Sequence, residues 1–256
     1  MSFNPRITDW QGKSVWLVGS SSGIGEATAA ALHAAGARLF LSARNAESLQ
    51  TFVAKHPGAV AVPLDVTDAS AVQAAAQTVL ASGPLDLMLY CAGYYKELRA
   101  SDYSIKEMLT HNQVNYVGAI EVLGAVLPAM MARKVGHISL ISSVAGYCGL
   151  PKGLAYGPTK AALINLAESL YVDLQDSHVG VSLVCPGFVK TSLTAQNDFA
   201  MPALLTPAQA AEAILKGWAS GAFEIHFPKR FTLWMKALSL LPRWLYFPVI
   251  RKFTGL

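Results

Sequence analysis

The sequence predicts an α/β fold, a doubly wound parallel sheet of about seven strands with helices on both faces. Three observations predict it. Strand-like apolar runs alternate with helical stretches along nearly the whole chain, the pattern of βαβ units. Most of these runs are continuously apolar rather than alternating, as suits parallel strands buried on both faces. The first run, Ser14-Val15-Trp16-Leu17-Val18, passes through a glycine-rich loop into a helix.

Strands are expected near residues 14–18, 37–42, 59–64, 85–91, 136–141, 179–185 and 223–227. Helices are expected near 24–35, 45–55, 69–81, 102–111, 113–133, 158–176 and 207–219. Asp68 can cap the third helix, and Thr206-Pro207-Ala208-Gln209 reads as a capping box with proline at the first helical position. Gly36 and Gly83 suit helix stops. No internal repeat, low-complexity segment or linker precedes residue 228. Residues 1–227 therefore read as one domain and 228–256 as a C-terminal extension.

The 256 residues are 53% hydrophobic and 14% charged, enough apolar material for a large core. No uninterrupted apolar stretch reaches the ~20 residues of a membrane span. The mixed, polar segment 1–13 has no apolar block of a secretory signal. Three widely spaced cysteines, Cys91, Cys148 and Cys185, fit neither a disulfide framework nor a metal site. They suit a reducing cytoplasm. The net charge of +4 is unevenly placed: 228–256 holds six basic and no acidic residues, whereas the preceding 227 residues hold 14 basic and 16 acidic. The neutral residues of the extension are mostly bulky and apolar, which argues against a nucleic-acid face.

The loop Val18-Gly19-Ser20-Ser21-Ser22-Gly23-Ile24-Gly25 is a place to hold a phosphate. Gly19, Gly23 and Gly25 let the backbone turn tightly and let an anion approach without a Cβ in the way. The helix that follows offers free N–H groups and a partial positive charge. The Gly-x3-Gly-x-Gly spacing is one residue longer in its first gap than the common dinucleotide fingerprint. That widens the loop, and the hydroxyls of Ser21 and Ser22 can add to phosphate binding.

A second focus is Tyr156-Gly157-Pro158-Thr159-Lys160. Tyr156 and Lys160 share a helix face, and Pro158 belongs in a first turn, so both lie near a helix start. A nearby ammonium and a cationic nicotinamide ring favour the phenolate and make tyrosine a usable proton donor to a developing alkoxide. Upstream, the apolar run 136–141 ends in Ser142-Ser143. Ligand groups gather at the carboxyl ends of parallel strands, which places Ser143 to bond a substrate oxygen. Asn115, in a helical stretch, says little alone.

Together, Gly19-x3-Gly23-Ile24-Gly25, Asn115, Ser143, Tyr156-x3-Lys160 and Pro186-Gly187 resemble the short-chain dehydrogenase/reductase family over about residues 10 to 227. The resemblance implies a Rossmann-type fold and a set of roles. Tyr156 would be the general acid in carbonyl reduction. Lys160 would hold the nicotinamide ribose and lower the tyrosine pKa. Ser143 would orient the carbonyl oxygen, and Asn115, through a helix kink, would hold a water in a relay to Lys160. Pro186-Gly187, the Val189 backbone and Thr191 would meet the nicotinamide, and Asp65 and Val66 the adenine. Ala92 and Gly93 would also border the cofactor. Two positions depart from the family pattern: Val18 stands where threonine is usual, and Cys91 where Asn-Ala-Gly would begin. Both changes touch strand-tying hydrogen bonds and no proton-transfer group.

The second strand ends Leu41-Ser42-Ala43-Arg44-Asn45. A carboxylate there would bind an NAD ribose and repel a 2′-phosphate. Ala43 takes that position and Arg44 follows, so NADP(H) is favoured over NAD(H); Ser42 or Asn45 could add a hydrogen bond. The expected substrate loop, between Phe188 and Leu205, carries Leu193, Phe199, Met201, Pro202, Leu204 and Leu205. Tyr94, Tyr95, Tyr147, Cys148, Leu150 and Leu154 are expected nearby, with Lys152 and Lys190 the obvious cations. This lining suits an apolar carbonyl substrate.

The extension crowds aromatics and leucines around its basic residues, and Pro242 and Pro248 are expected to divide it into short pieces. It suggests either peripheral membrane contact through 229–256 or burial against its own site or a neighbouring subunit. The leading expectation is an NADPH-dependent reductase of a ketone or aldehyde on an apolar molecule, a lipid-like one being an option, in a cytoplasmic homodimer for which contact with a membrane surface stays open. The dimer, through the long helices near 113–133 and 158–176, follows from the resemblance. An oxidative alcohol or hydroxysteroid dehydrogenase, a non-catalytic NADP-sensing protein and a membrane-surface interaction protein are the alternatives.

Overall fold

In the computed structural model, residues 4–198 and 201–254 are described. Seven strands form one parallel sheet in the order β3-β2-β1-β4-β5-β6-β7. They are β1 (Ser14–Val18), β2 (Arg38–Ser42), β3 (Val60–Ala61), β4 (Leu87–Tyr90), β5 (Gly136–Ile141), β6 (Val179–Pro186) and β7 (Glu224–Phe227). Val18 stands opposite both Ser42 and Tyr90, and Tyr90 opposite Leu140. The strand order therefore reverses between β1 and β4, and the crevice outside their carboxyl ends is where such a sheet takes ligands.

The central strands are buried on both faces, and residue parity sorts them. Trp16, Val18, Phe40, Met88, Tyr90, Ile138 and Leu140 enter one apolar cluster, whereas Val15, Leu17, Leu39, Leu41, Leu87 and Leu89 enter the other. The first cluster is covered by α3 (Ala69–Ala81), α5 (Gly118–Arg133) and α6 (Tyr156–Asp173). The second is covered by α1 (Gly23–Ala34), α2 (Ala46–Lys55) and α7 (Pro207–Ser220). Asp68 caps α3 through the Ser70 and Ala71 N–H groups, and the capping box at Thr206 opens α7. Gly36 and Gly83 follow their helices at φ +91° and +126°, where a side chain would be strained.

Several boundaries differ from expectation. The third strand shrinks from 59–64 to two paired residues at the sheet edge, with Pro63 turning its missing N–H away from β2. Val62 and Leu64 on either side still donate to Leu41 and Ala43. The two helices expected near 102–111 and 113–133 join: α4 (Ile105–Asn112), a π-helical turn (Gln113–Val117) and α5 run on without a break. By length and composition this 29-residue run could cross a membrane; here it lays Ala119, Val122, Val126 and Met130 in the core. The extension forms α8 (Lys229–Ser239) and α9 (Arg243–Thr254). Pro242 does separate them, but Pro248 lies inside α9 and does not divide it. Its cost of about 3 kcal/mol is offset by packing of Tyr246 and Ile250, which bury with Val144, Met235 and Leu238.

Candidate active site

A cavity of about 380 Å³ opens along the carboxyl ends of the central strands. It is lined by Gly19, Ser21, Ser22, Gly23, Ile24, Arg44, Asp65, Val66, Ala92 and Gly93 at one end, and by Ser143, Tyr156, Lys160, Pro186, Gly187, Val189 and Thr191 at the other. Two predicted site residues stand behind the lining. Gly25 lies beneath the loop, where a Cβ would sit 2.2 Å from the Gly19 carbonyl oxygen. Asn115 is fully buried behind Tyr94.

The dinucleotide end is shaped by what its glycines lack. Gly19 adopts φ +93°, and a Cβ there would meet the Ala92 nitrogen at 2.3 Å. Gly23 adopts φ +60°, with Thr191 in the way of a side chain. The loop is tied to β2 by the Gly19 and Ser20 N–H groups, both donating to the Ser42 carbonyl. Ser20 turns inward, its hydroxyl bonding the Leu17 carbonyl. Ser22 is the N-cap of α1 and its side chain makes no capping bond, which leaves helix N–H groups for an anion. At the departing positions the main-chain ladder continues, the Cys91 N–H donating to the Val18 carbonyl at 2.7 Å. Burial pushes the Cys91 thiol up to about 11, so it is protonated at neutral pH and packs as an apolar group.

Arg44 is exposed on the cavity wall, and among the described residues it has no ion pair. Ser42 cannot assist it. Its side chain is buried and accepts the Trp16 indole N–H at 2.9 Å, because strand parity turns residue 42 toward the core. Asn45 remains on the wall, with its Oδ1 capping α2 through the Ser48 N–H.

At the other end, the 3-10 turn Val144–Gly146 follows Ser143 and packs on α6. A Cβ on Gly146 would sit 2.7 Å from the Lys160 carbonyl carbon. Ser142 locks the same contact by donating to the Lys160 carbonyl at 2.7 Å. The Ser143 hydroxyl accepts the Ala145 N–H at 3.1 Å and lines the same cavity as Tyr156. Helix α6 starts at Tyr156 rather than near 158, so Pro158 keeps its place in the first turn. Lys160 is 3% exposed. Its ammonium donates to the Ile141 carbonyl at 2.9 Å and stands 5.5 Å from the centre of the Tyr156 ring.

Burial dominates the electrostatics of this pair. It pushes the Lys160 pKa down to about 8 and raises that of Tyr156, with the neighbouring Ser143 hydroxyl pulling the other way. The phenol shift is opposite to the expected lowering: desolvation of the buried phenolate is its largest cause, and Ser143 offsets only part of it.

Asn115 sits in the π-helical turn. Its Oδ1 accepts the Tyr94 N–H at 2.7 Å, and its Nδ2 donates to the Tyr94 carbonyl and to Thr159 Oγ1, both at 3.0 Å. It thus ties the loop after β4 to the first turn of α6. Ser142, Thr159 and Gly146 carry no sequence signal of their own, since their roles are set by neighbours remote in the chain.

Of the expected substrate lining, Leu193 reaches the cavity, and Tyr95 stands edge-on to Tyr156 with ring centres 5.0 Å apart. Tyr147, Cys148 and Leu150 instead pack against the cluster formed with α8 and α9. Lys152 is paired with Glu97 and Asp198. Phe199 lies outside the described residues.

A sequence model described as short chain dehydrogenase matches residues 13–201. The chain belongs to the short-chain dehydrogenase/reductase family. It is 36% identical over 245 residues to an uncharacterized oxidoreductase of Myxococcus xanthus, covering 94% of this chain and 97% of the relative. An uncharacterized oxidoreductase of Staphylococcus aureus is 33% identical over 205 residues, 78% of this chain and 87% of the relative. A short-chain dehydrogenase structure from Streptomyces avermitilis superposes with a TM-score of 0.78 at 29% identity, over 88% of this chain and 92% of that one. One from Burkholderia cenocepacia, solved with NADP, superposes at 0.84 over 95% and 99% of the two chains, at 23% identity, a likeness of fold. As a family member, the chain is an NAD(P)-dependent oxidoreductase with a Rossmann-type fold.

The cavity fits a nicotinamide dinucleotide. A glycine cradle that a Cβ would fill at Gly19 and Gly23, an uncapped helix N-terminus and a buried ammonium held by the Ile141 carbonyl match the phosphate and ribose of such a ligand in kind.

Proposed function

We propose that this oxidoreductase uses NADPH to reduce a ketone or aldehyde on an apolar, lipid-like molecule. The observation that carries the reading is the meeting of Ser143, Tyr156 and Lys160 at one end of a cavity whose other end holds the glycine loop and Arg44. Gly19, Ser21, Ser22, Gly23 and Ile24 would cradle the pyrophosphate, and Gly25 behind them would let the loop close on the helix. Asp65, Val66, Ala92 and Gly93 would border the adenine side, and Pro186, Gly187, Val189 and Thr191 the nicotinamide side.

The bound cofactor would supply a hydride to the carbonyl carbon. Ser143 would hold the carbonyl oxygen by its hydroxyl, and Tyr156 would give that oxygen a proton as negative charge develops. Lys160 would hold the ribose hydroxyls and stabilise the phenolate left behind. Asn115 would keep the Tyr94 loop and the start of α6 in register behind them. Arg44, with Ala43 where a carboxylate would stand and with no ion pair among the described residues, supports the preference for a 2′-phosphate. Cells commonly keep NADPH reduced, which favours the direction from carbonyl to alcohol.

The same reading has 1–227 as the catalytic domain and 228–256 as an extension that walls its substrate side. It makes the protein a cytoplasmic homodimer. Exposed apolar side chains on the outer helices, Ile120 and Met131 on α5 and Val172 on α6, support that assembly. The test is NADPH oxidation against long-chain ketones, aldehydes and sterols, with NADH in parallel. Turnover of one such class with NADPH favoured is the expected result. Binding of NADPH without turnover of any carbonyl would overturn the reading.

A further inference from the structure

Helices α8 and α9 have an inner and an outer side. On the inner side Met235, Leu238, Tyr246 and Ile250 are buried against Val144, and the Tyr246 hydroxyl donates to the Gly149 carbonyl. On the outer side Leu240 is 84% and Trp244 77% exposed, and Trp234, Phe247 and Phe253 also face out. The Trp234 and Phe253 rings meet edge-on at 5.5 Å, so the outer sides of the two helices form one continuous patch. Large side chains exposed in a contiguous group mark an interaction surface.

The patch is ringed by positive charge. Lys236 turns inward and pairs with Glu224. Lys229, Arg230, Arg243, Arg251 and Lys252 are exposed, and among the described residues none of these five has an ion pair. Residues 228–256 contain no carboxylate side chain. We propose that this outer face docks on an anionic lipid surface. Tryptophan and phenylalanine enter the boundary between headgroups and chains, and the cations meet lipid phosphates. Charge weighs against the simplest rival. A second copy seated through the same patch by two-fold symmetry sets five cations against five, and 228–256 supplies no carboxylate side chain to separate them.

The inner side ties this face to the cleft. Phe231 of α8 lies against Gly187 and stacks near Phe188, ring centres 5.4 Å apart, while Val144 lies one residue past Ser143. Docking through α8 and α9 therefore holds the candidate cleft beside lipid, from which an apolar carbonyl compound can be drawn. Docking stands apart from the reductase reading; only this delivery of substrate rests on it.

The test uses the full chain with phosphatidylcholine vesicles made with and without phosphatidylglycerol. Trp10, Trp16 and Trp218 are buried, so an emission change reports Trp234 and Trp244. Sedimentation with the anionic vesicles alone, a blue shift and release by salt are expected. Arg251→Gln with Lys252→Gln is expected to weaken partitioning about 30-fold, and Trp244→Ser to remove most of the shift, both with unchanged circular dichroism. Failure of the wild-type chain to bind anionic vesicles, or equal binding to neutral ones, would overturn the proposal. So would a concentration-dependent oligomer that Trp244→Ser dissolves in a protein that ignores vesicles. Vesicle binding without NADPH oxidation on any carbonyl would leave the docking face standing and remove the reductase.

Discussion

The Lys160 ammonium stands 5.5 Å from the centre of the Tyr156 ring while donating to the Ile141 carbonyl. One turn of α6 separates the two residues in sequence, and the end of β5 supplies the third corner. This triangle couples a proton donor to a buried cation, and its chemistry yields distinct expectations.

Tyr156→Phe removes the phenolic proton and leaves the ring packed on Tyr95. NADPH affinity should stay within a few-fold of wild type, and turnover should fall by about 10²–10⁴-fold. Fluorescence titration and steady-state rates measure the two separately. Full activity in this variant refutes the assigned acid.

Lys160 gives the free enzyme a pH signature. Below about 8 it is charged in both folded and unfolded chains, and burying that charge costs stability. Between about 8 and its ordinary 10.5 only the unfolded chain holds the proton, so this group's contribution to stability rises with pH in that window. Cofactor binding runs the other way. It needs the ammonium, so NADPH affinity should weaken as pH rises through about 8, by up to about tenfold per unit. Lys160→Met should flatten that dependence in a binding titration; an unaltered profile would assign it elsewhere.

Arg44→Glu puts a carboxylate where a 2′-phosphate would lie. NADPH should bind roughly 10- to 100-fold more weakly, the worth of a charge-assisted hydrogen bond, and NADH should change little. Paired dissociation constants for the two coenzymes decide it, and an unchanged ratio counts against the phosphate role.

Gly19→Ala tests the cradle. The new methyl meets the Ala92 backbone at 2.3 Å in a left-handed conformation, so the loop or β4 must shift. Dinucleotide affinity should drop beyond detection, while the melting temperature falls by several degrees. Retained affinity would mean that the loop is not the phosphate seat.

Asn115→Ala leaves the Tyr94 N–H and carbonyl without their side-chain partners. A loss of about 1–3 kcal/mol per buried unsatisfied group should appear in urea unfolding. Asn115→Asp, which restores only the acceptor, should recover part of it.

Much of this protein was determined by its sequence alone. Continuous apolar runs made parallel strands because only a sheet covered on both faces can bury them. Gly19, Gly23 and Gly25 were readable as a cradle because their chemistry is local, and Tyr156 with Lys160 because helical spacing puts them on one face. Asp68 and Thr206 announced their helices by bonds made within three residues. What tertiary structure decided is what depends on remote neighbours. Ser42 faces Trp16 instead of the cavity because strand parity meets a core that sequence spacing does not show. Asn115 is buried in a π-helical turn because its partners, Tyr94 and Thr159, lie on other elements. Pro248 stays inside a helix because Tyr246 and Ile250 are held by a cluster beside the active-site turn. The Tyr156 pKa rises because burial disfavours the phenolate, and spacing in the sequence does not show burial. Local geometry is written in adjacent residues, whereas desolvation and packing are properties of the assembled fold.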